Sequence, residues 1–260
     1  MKNLIYQYWD GDYSRSGVSA GVNAMKKYAA RIGAEYIFEK NPCYARSLGY
    51  DFGSYTPHYG AFKPVFEDWK YDNILFADTD VFPVEGLTDN IFEEPIGDIG
   101  ICREQWQTLN KPKSDRDTDK RWASHVETNF SIKIPRDDNG NVIIYNSGVV
   151  LYSKKSYKKI RDNFVKFDQY VNCIRNKFPS FYACDQLYLH AMMQRIDWSE
   201  LNEDWNRYIH YHPNTKDPRP VNDTRTSTTK FVHIQLRGAD DWDSDKLWRV
   251  TNLPEKDWRL

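Results

Sequence analysis

Short apolar runs alternate with amphipathic stretches along this 260-residue chain, an arrangement that predicts strands separated by helices. Leu4–Trp9 reads as a first strand, closed by the turn formers Asp10, Gly11 and Asp12. Behind it Val18, Val22, Met25, Ala29 and Ile32 recur at the spacing of one helix face. Glu35–Phe38 makes a second strand after Gly33. A Gly- and aromatic-rich stretch from Cys43 to Gly60 then leads to Lys63-Pro64, where proline at a first helical position opens a short helix through Trp69. Ile74–Ala77 is too short for its period to decide, but Val81, Phe82 and Pro83 favour an extended segment. Gly97–Cys102 is a further strand.

From Arg103 to Arg136 the chain turns polar and charge-mixed, which reads as an excursion over the surface. Val142–Tyr152 is strand-like at both ends and interrupted by Asn146-Ser147-Gly148, and a glycine in mid-strand marks close backbone approach to a ligand. One helix carries Tyr157, Ile160, Phe164, Phe167 and Val171 on one face. Another begins near Ser180 with Asp185 and Gln186 in its first turns. A polar loop over 213–230 precedes a last strand, Phe231–Leu236. With no Pro/Ser-rich linker and no internal repeat, the expectation is one α/β domain built on a largely parallel sheet.

Composition narrows the function. A chain of this length buries roughly 70–75% of its unfolded surface, so a substantial core is assured. A net charge of −1 supplies no global basic field and argues against a dedicated duplex-DNA binder. The surplus of rings, 18 Tyr and 9 Trp, suits stacking on sugars or bases, although most of them are expected to fill the core. Cys43, Cys102, Cys173 and Cys184 form no Cys-x-x-Cys pair, which excludes a zinc knuckle or dithiol redox motif and points to a reducing compartment. The first residues are too polar for a signal peptide and no apolar stretch approaches bilayer length. A cytoplasmic protein without a transmembrane segment is expected.

The chemistry concentrates where the run Asn73–Ala77 stops at Asp78-Thr79-Asp80. If that segment is extended, both carboxylates point the same way and make a hard-oxygen site for Mg²⁺ or Mn²⁺ holding a diphosphate. In an open α/β sheet, ligands bind beyond the carboxyl ends of the strands, where this pair falls. The competing reading is a plain turn or cap. Asp185 likewise stands between chemistry and helix N-capping, and His233 between metal ligation and a satisfied core group. His210 and His212 lack an acidic or Cys partner nearby and read as structural.

Taken in order, Lys63 before a short helix, Asp78-Thr79-Asp80, Asn146-Ser147-Gly148, Asp185-Gln186, Trp205-Asn206 and a strand with His233 resemble the glycogenin and bacterial lipopolysaccharide galactosyltransferase family of retaining glycosyltransferases, over nearly the whole chain. The resemblance implies a single GT-A domain over 1–260, with a mixed, mostly parallel sheet flanked by helices, a nucleotide-binding half over 1–102 and an acceptor-side half over 103–260. It implies a nucleotide diphosphate sugar donor, most often a uridine one, held through Mn²⁺ or Mg²⁺ by Asp78, Asp80 and His233. Manganese is favoured, since it tolerates imidazole better than magnesium does. Lys63 then reaches toward sugar and phosphate, Tyr8, Asp10 and Tyr13 cradle uracil and ribose, and Asn146 and Gly148 border the sugar. Asp185 and Gln186 lie beneath the reacting carbon, one or the other serving as nucleophile or electrostatic prop.

The family's lysine after the histidine is missing from His233-Ile-Gln-Leu-Arg-Gly-Ala-Asp-Asp-Trp242, so Arg237, or further on Lys246, is the substitute phosphate clamp, with Asp240 and Asp241 wrong-signed for that task. The acceptor is a glycan, a lipid or another hydroxyl compound. The basic residues Lys111, Lys113, Arg116, Lys120 and Arg121 could touch an acidic acceptor, a nucleic acid with a hydroxylated base included, but Asp115, Asp117 and Asp119 among them favour a solvated loop. Two other classes compete. A haloacid-dehalogenase-type phosphatase also ends a strand in Asp-x-Asp, but normally opens its domain with it; a non-catalytic sugar-nucleotide-binding module would have little reason to keep Asp78, Asp80 and His233.

Overall fold

The computed structural model describes residues 1–9, 16–40, 70–104, 111–210, 222–234 and 242–258. In chain order these form β1 (Asn3–Trp9), α1 (Ser16–Ile32), β2 (Glu35–Lys40), β3 (Asn73–Ala77), β4 (Val81–Pro83), β5 (Ile99–Arg103), α2 (Lys113–Phe130), β6 (Tyr145–Ser153), α3 (Lys154–Asn163), α4 (Phe167–Ile174), α5 (Asp185–Met192), β7 (Trp198–Glu200), β8 (Arg207–His210), β9 (Asn222–Asp223), β10 (Phe231–Ile234) and α6 (Ser244–Asn252). The main sheet has the order β2-β1-β3-β6-β5-β7. Its strands are parallel except β6, which runs against both β3 and β5. A smaller sheet of order β4-β10-β8-β9 continues from the turn after β3. The fold class is therefore the mixed, mostly parallel α/β sheet flanked by helices that the sequence predicts.

Two stretches differ from expectation. The region 103–136 is not a surface excursion: α2 occupies most of it, and Asp119, Trp122, Ala123, Val126 and Phe130 are buried along one face. Trp122 is fully buried and donates its Nε1–H to Tyr170 Oη at 3.0 Å. The helical period was hidden because a buried Asp119, paired with Lys111 at 2.8 Å and accepting from Tyr182 Oη at 2.6 Å, takes a position where an apolar residue would have revealed it. The long face from Tyr157 to Val171 belongs to two helices, α3 and α4, with a break at 164–166 where Phe164 is extended. Both bury their share of that face, so the pattern was right and the continuity was not.

The strand predicted over Val142–Tyr152 with an interruption starts only at Tyr145, Val142 making an isolated bridge with Arg136, and from there it is continuous. β6 passes through Asn146-Ser147-Gly148 and absorbs the irregularity as a shift in register with β5 between Ile101 and Cys102. Lys63 and the short helix through Trp69 lie outside the described residues. Among the described residues no helix is long and apolar enough to cross a membrane.

His190 on α5 is fully buried between the rings of Trp122 and Tyr145, each 5.4 Å away between centroids, and neither ring nitrogen has a hydrogen-bond partner. Burial pushes its pKa down to about 3. The unfolded chain therefore takes up a proton near pH 6.5 that the folded protein refuses, and the neutral ring's contribution is lost as pH falls from there toward 3, at up to about 1.4 kcal/mol per pH unit. The His190→Phe variant, which keeps a ring in the same slot, should lose less melting temperature than the native protein between about pH 7 and about pH 5, as followed by circular dichroism.

Candidate active site

The acidic pair sits on a turn rather than on extended chain. Val81 N–H donates to Asp78 O at 3.2 Å, so the segment reverses between the two aspartates and Thr79 is buried between them. The expected outcome, two carboxylates on one site, is reached by this other route. Main-chain bonds hold the turn from three strands: Asp78 N–H donates to Gly148 O of β6 at 2.8 Å, Gln7 Nε2 of β1 donates to Asp78 O at 2.8 Å, and Ile234 N–H of β10 donates to Asp80 O at 2.9 Å. Gln7 is fully buried and is itself held by Tyr36 Oη at 2.8 Å. The fourth side is α1. A Cβ on Gly21 would lie 1.8 Å from Thr79 O, so only a glycine lets the helix approach this closely. Sequence reasoning missed Gly21, although a glycine on the buried face of an otherwise good helix was a usable signal.

β10 then delivers His233 beside the turn, in register with Val81 of β4. Its Nε2 lies 3.2 Å from Asp80 Oδ1, and one ligand atom each from Asp78, Asp80 and His233 lie within 4.8 Å of one another. Two carboxylates and an imidazole are a donor set for a divalent ion such as Mn²⁺. Burial alone would lower the His233 pKa, but Asp80, then Asp78 and Glu104, outweigh it, and the imidazole titrates above its ordinary value. Gly148 also has a steric part besides the expected one. A Cβ there would sit 2.4 Å from His233 Cε1, so the missing side chain makes room for the imidazole.

Behind the histidine stands a chain of amides. His233 Nδ1 meets Asn206 Oδ1 at 3.1 Å, Asn206 Nδ2 donates to Asn146 Oδ1 at 2.9 Å, Asn146 Nδ2 donates to Gln186 Oε1 at 3.3 Å, and Gln186 Nε2 donates to Glu104 Oε2 at 2.6 Å. Glu104 is buried, and burial raises its pKa against the opposing pull of Gln186 and Lys111. Sequence analysis did not single it out; one acid following the strand Gly97–Cys102 carried no pattern. Asp185 opens α5 without capping it, because the N-cap position is Cys184. It accepts from Ser147 Oγ at 3.3 Å, and burial raises its pKa to about 7.

The structure thus brings Asp78, Asp80, Asn146, Gly148, Asp185, Gln186 and His233 into one neighbourhood. The Tyr8 ring is buried, at 8% exposure, and packs near Tyr6 and Phe76. Lys246 sits on α6 with its ammonium 4.5 Å over the Trp242 ring. Asp10, Tyr13, Lys63 and Arg237 lie outside the described residues, as do Asp240 and Asp241.

No protein-family model and no curated protein matches the sequence. Solved structures do. The chain is similar to a glycosyltransferase involved in the glycosylation of the major capsid of PBCV-1, at 11% identity and a TM-score of 0.54, covering 95% of this chain and 98% of that one. It is similar to the galactosyltransferase LgtC, solved in complex with donor and acceptor sugar analogs, at 14% identity and a TM-score of 0.52, covering 98% of each. It is also similar to mouse xyloside xylosyltransferase 1, at 14% identity and a TM-score of 0.52, covering 89% of this chain and 96% of that one. At such identities the likeness is one of fold, and the fold is the GT-A fold of these glycosyltransferases.

Two single-carbon additions test the geometry. Gly148→Ala should displace His233 and Gly21→Ala should push out the Asp78–Asp80 turn, each overpacking the core by roughly 1–3 kcal/mol. Isothermal titration should show both variants binding Mn²⁺ at least about tenfold more weakly than the native protein while circular dichroism shows them folded.

Proposed function

We propose that the protein transfers a sugar from a nucleotide diphosphate sugar, with uridine as the preferred base, to a hydroxyl acceptor, with retention at the anomeric carbon. The observation that carries this reading is the convergence of Asp78, Asp80 and His233 beside the ends of β3 and β10, in a fold shared with glycosyltransferases. LgtC, of the same fold, was solved with donor and acceptor sugar analogs, which supports a nucleotide-sugar donor and a glycan or similar acceptor here.

Asp78, Asp80 and His233 would hold the divalent ion, with manganese favoured because one of three ligands is imidazole. Bound there, the ion would supply positive charge to the departing diphosphate. Lys63 and Arg237 are the proposed cationic partners of the same phosphates, and Tyr8, Asp10 and Tyr13 the proposed nucleoside contacts. Asn146 would bond a sugar hydroxyl. Gln186 is the more accessible of the two groups proposed beneath the reacting carbon, and an active-site mutant of LgtC changes a glutamine to glutamate. Asp185, deeper and bonded to Ser147, would supply negative charge below the developing cationic ring. Retention would follow if the acceptor attacks from the face the diphosphate leaves, with the diphosphate taking the acceptor proton. The setting proposed for the protein is a reducing, cytoplasmic one.

A thermal-shift panel of nucleotide sugars tests the reading: uridine diphosphate and its sugars should raise the melting temperature only with Mn²⁺ present. Asp80→Asn should remove that shift and donor hydrolysis while leaving the protein folded; a metal-independent phosphatase activity surviving the change would favour the phosphatase class instead. The role of Asp185 predicts a pH profile. Its charged form is the useful one and its pKa is about 7, so kcat/KM should rise with pH through that value, and Asp185→Asn should be slower and lose the rise.

A further inference from the structure

The amide chain behind His233 has a direction, because each carboxamide accepts through one end and donates through the other. Fixing one link therefore fixes every link. Gly148 supplies that fixed point: its backbone N–H donates to Asn146 Oδ1 at 2.8 Å, and a backbone N–H can only donate. Asn146 must then show oxygen to Asn206 as well, and Asn206 must answer with its NH₂ group. The oxygen of Asn206 is left facing His233 Nδ1 at 3.1 Å. In the other direction Asn146 offers NH₂ to Gln186, and the NH₂ of Gln186 ends on the carboxylate of Glu104, which can accept it. Reversing the chain would set donor against donor at Gly148 and acceptor against acceptor elsewhere. His233, Asn206 and Asn146 are each less than a tenth exposed, so water is poorly placed to repair such a mismatch, and each unmade buried bond is costly.

The element that delivers Asn206 is fixed to the strand that delivers His233. Trp205, its neighbour in the 3-10 turn Glu203–Asn206, is fully buried and packs edge-on against Phe231 of β10 with centroids 5.0 Å apart. Its Nε1–H donates to Glu94 at 2.7 Å. The distance between the Asn206 amide and the imidazole is thereby set by packing between two rings.

We propose that Asn206, oriented by Asn146 and the Gly148 amide, is a positioning residue that keeps a proton on His233 Nδ1 and so reserves Nε2 for an ion shared with Asp78 and Asp80. Nε2 is the nitrogen on the aspartate side, 3.2 Å from Asp80 Oδ1. The inference rests on the metal-site reading above. It extends that reading to a residue that touches neither ion nor substrate and acts only through the ring it orients.

Nuclear magnetic resonance of protein with ¹⁵N-labelled histidine, saturated with diamagnetic Cd²⁺ in place of Mn²⁺, reads the two nitrogens separately. The expected result is metal coupling at Nε2 and a slowly exchanging proton at Nδ1. Asn206→Leu should expose that proton to exchange and weaken Mn²⁺ binding roughly 10–100-fold. Asn206→Asp, which keeps an acceptor for Nδ1 but loses the donor to Asn146, should recover the protected proton and bind Mn²⁺ more tightly than Asn206→Leu. Coordination through Nδ1, or native Mn²⁺ affinity in a folded Asn206→Leu variant, would overturn the proposal. The native spectrum decides even if a variant does not fold. An ion held by the aspartates without His233 would sink the positioning role alone, whereas uptake of neither ion would bring down the metal reading and this inference with it.

Discussion

Everything at this site depends on holding two carboxylates close together against their mutual repulsion. A flexible segment would relieve that repulsion by swinging one aspartate away. Here the backbone has nowhere to go: Gly148, Gln7 and Ile234 hold Asp78 and Asp80 by main-chain atoms, and Thr79 is pressed against Gly21. The cost of bringing the charges together is borne by the sheet and α1, and both side chains stay partly exposed beside His233. The antiparallel strand β6 is what makes this possible. It enters the sheet between β3 and β5 and carries Asn146, Ser147 and Gly148 past the end of β3, where their carbonyl, amide and hydroxyl groups face the turn and α5.

The same economy governs the imidazole. Removing one Cβ at Gly148 opens the space for His233, and the backbone N–H of that glycine sets the polarity of the amides behind it. One residue therefore fixes the histidine both sterically and chemically, while its carbonyl holds Asp78. Any side chain at 148 would meet the His233 ring and the Asn146 amide together. The strain would fall on a buried ring and a buried amide, neither of which can yield cheaply.

How much of this was legible in the sequence follows from range. Asp78, Asp80, Asn146, Gly148, Asp185 and Gln186 stand at ends or interruptions of locally patterned segments, so local reasoning finds them. The strands β1, β3 and β10 and helix α1 were read for the same reason. Glu104 owes its significance to a partner 82 residues away and no local pattern marks it, whereas Asn206 was marked only within the ordered series of motifs, as Trp205-Asn206, and takes its part here from a partner 60 residues away. Helix α2 was lost because its buried face includes an aspartate satisfied by Lys111 and Tyr182, a pairing that exists only in three dimensions. The turn at Thr79 was misread as extended because a two-residue spacing projects to one face in a strand and is equally compatible with a tight reversal.

Burial sorts the acids of the site into different kinds of work. Asp78 and Asp80 are partly exposed, which suits groups that hold a cation. Asp185 lies deeper, so its charge is expensive and its proton affinity rises to about 7. Glu104 is also buried, yet its amide partner Gln186 and the nearby Lys111 oppose the rise, and its oxygen ends the amide chain as an acceptor. A single carboxylate chemistry is thus divided, by depth and by partner, among holding charge, titrating near neutrality and orienting an amide. That division needs no special residue types, only the placement of four acids at graded distances from water around one turn and one histidine.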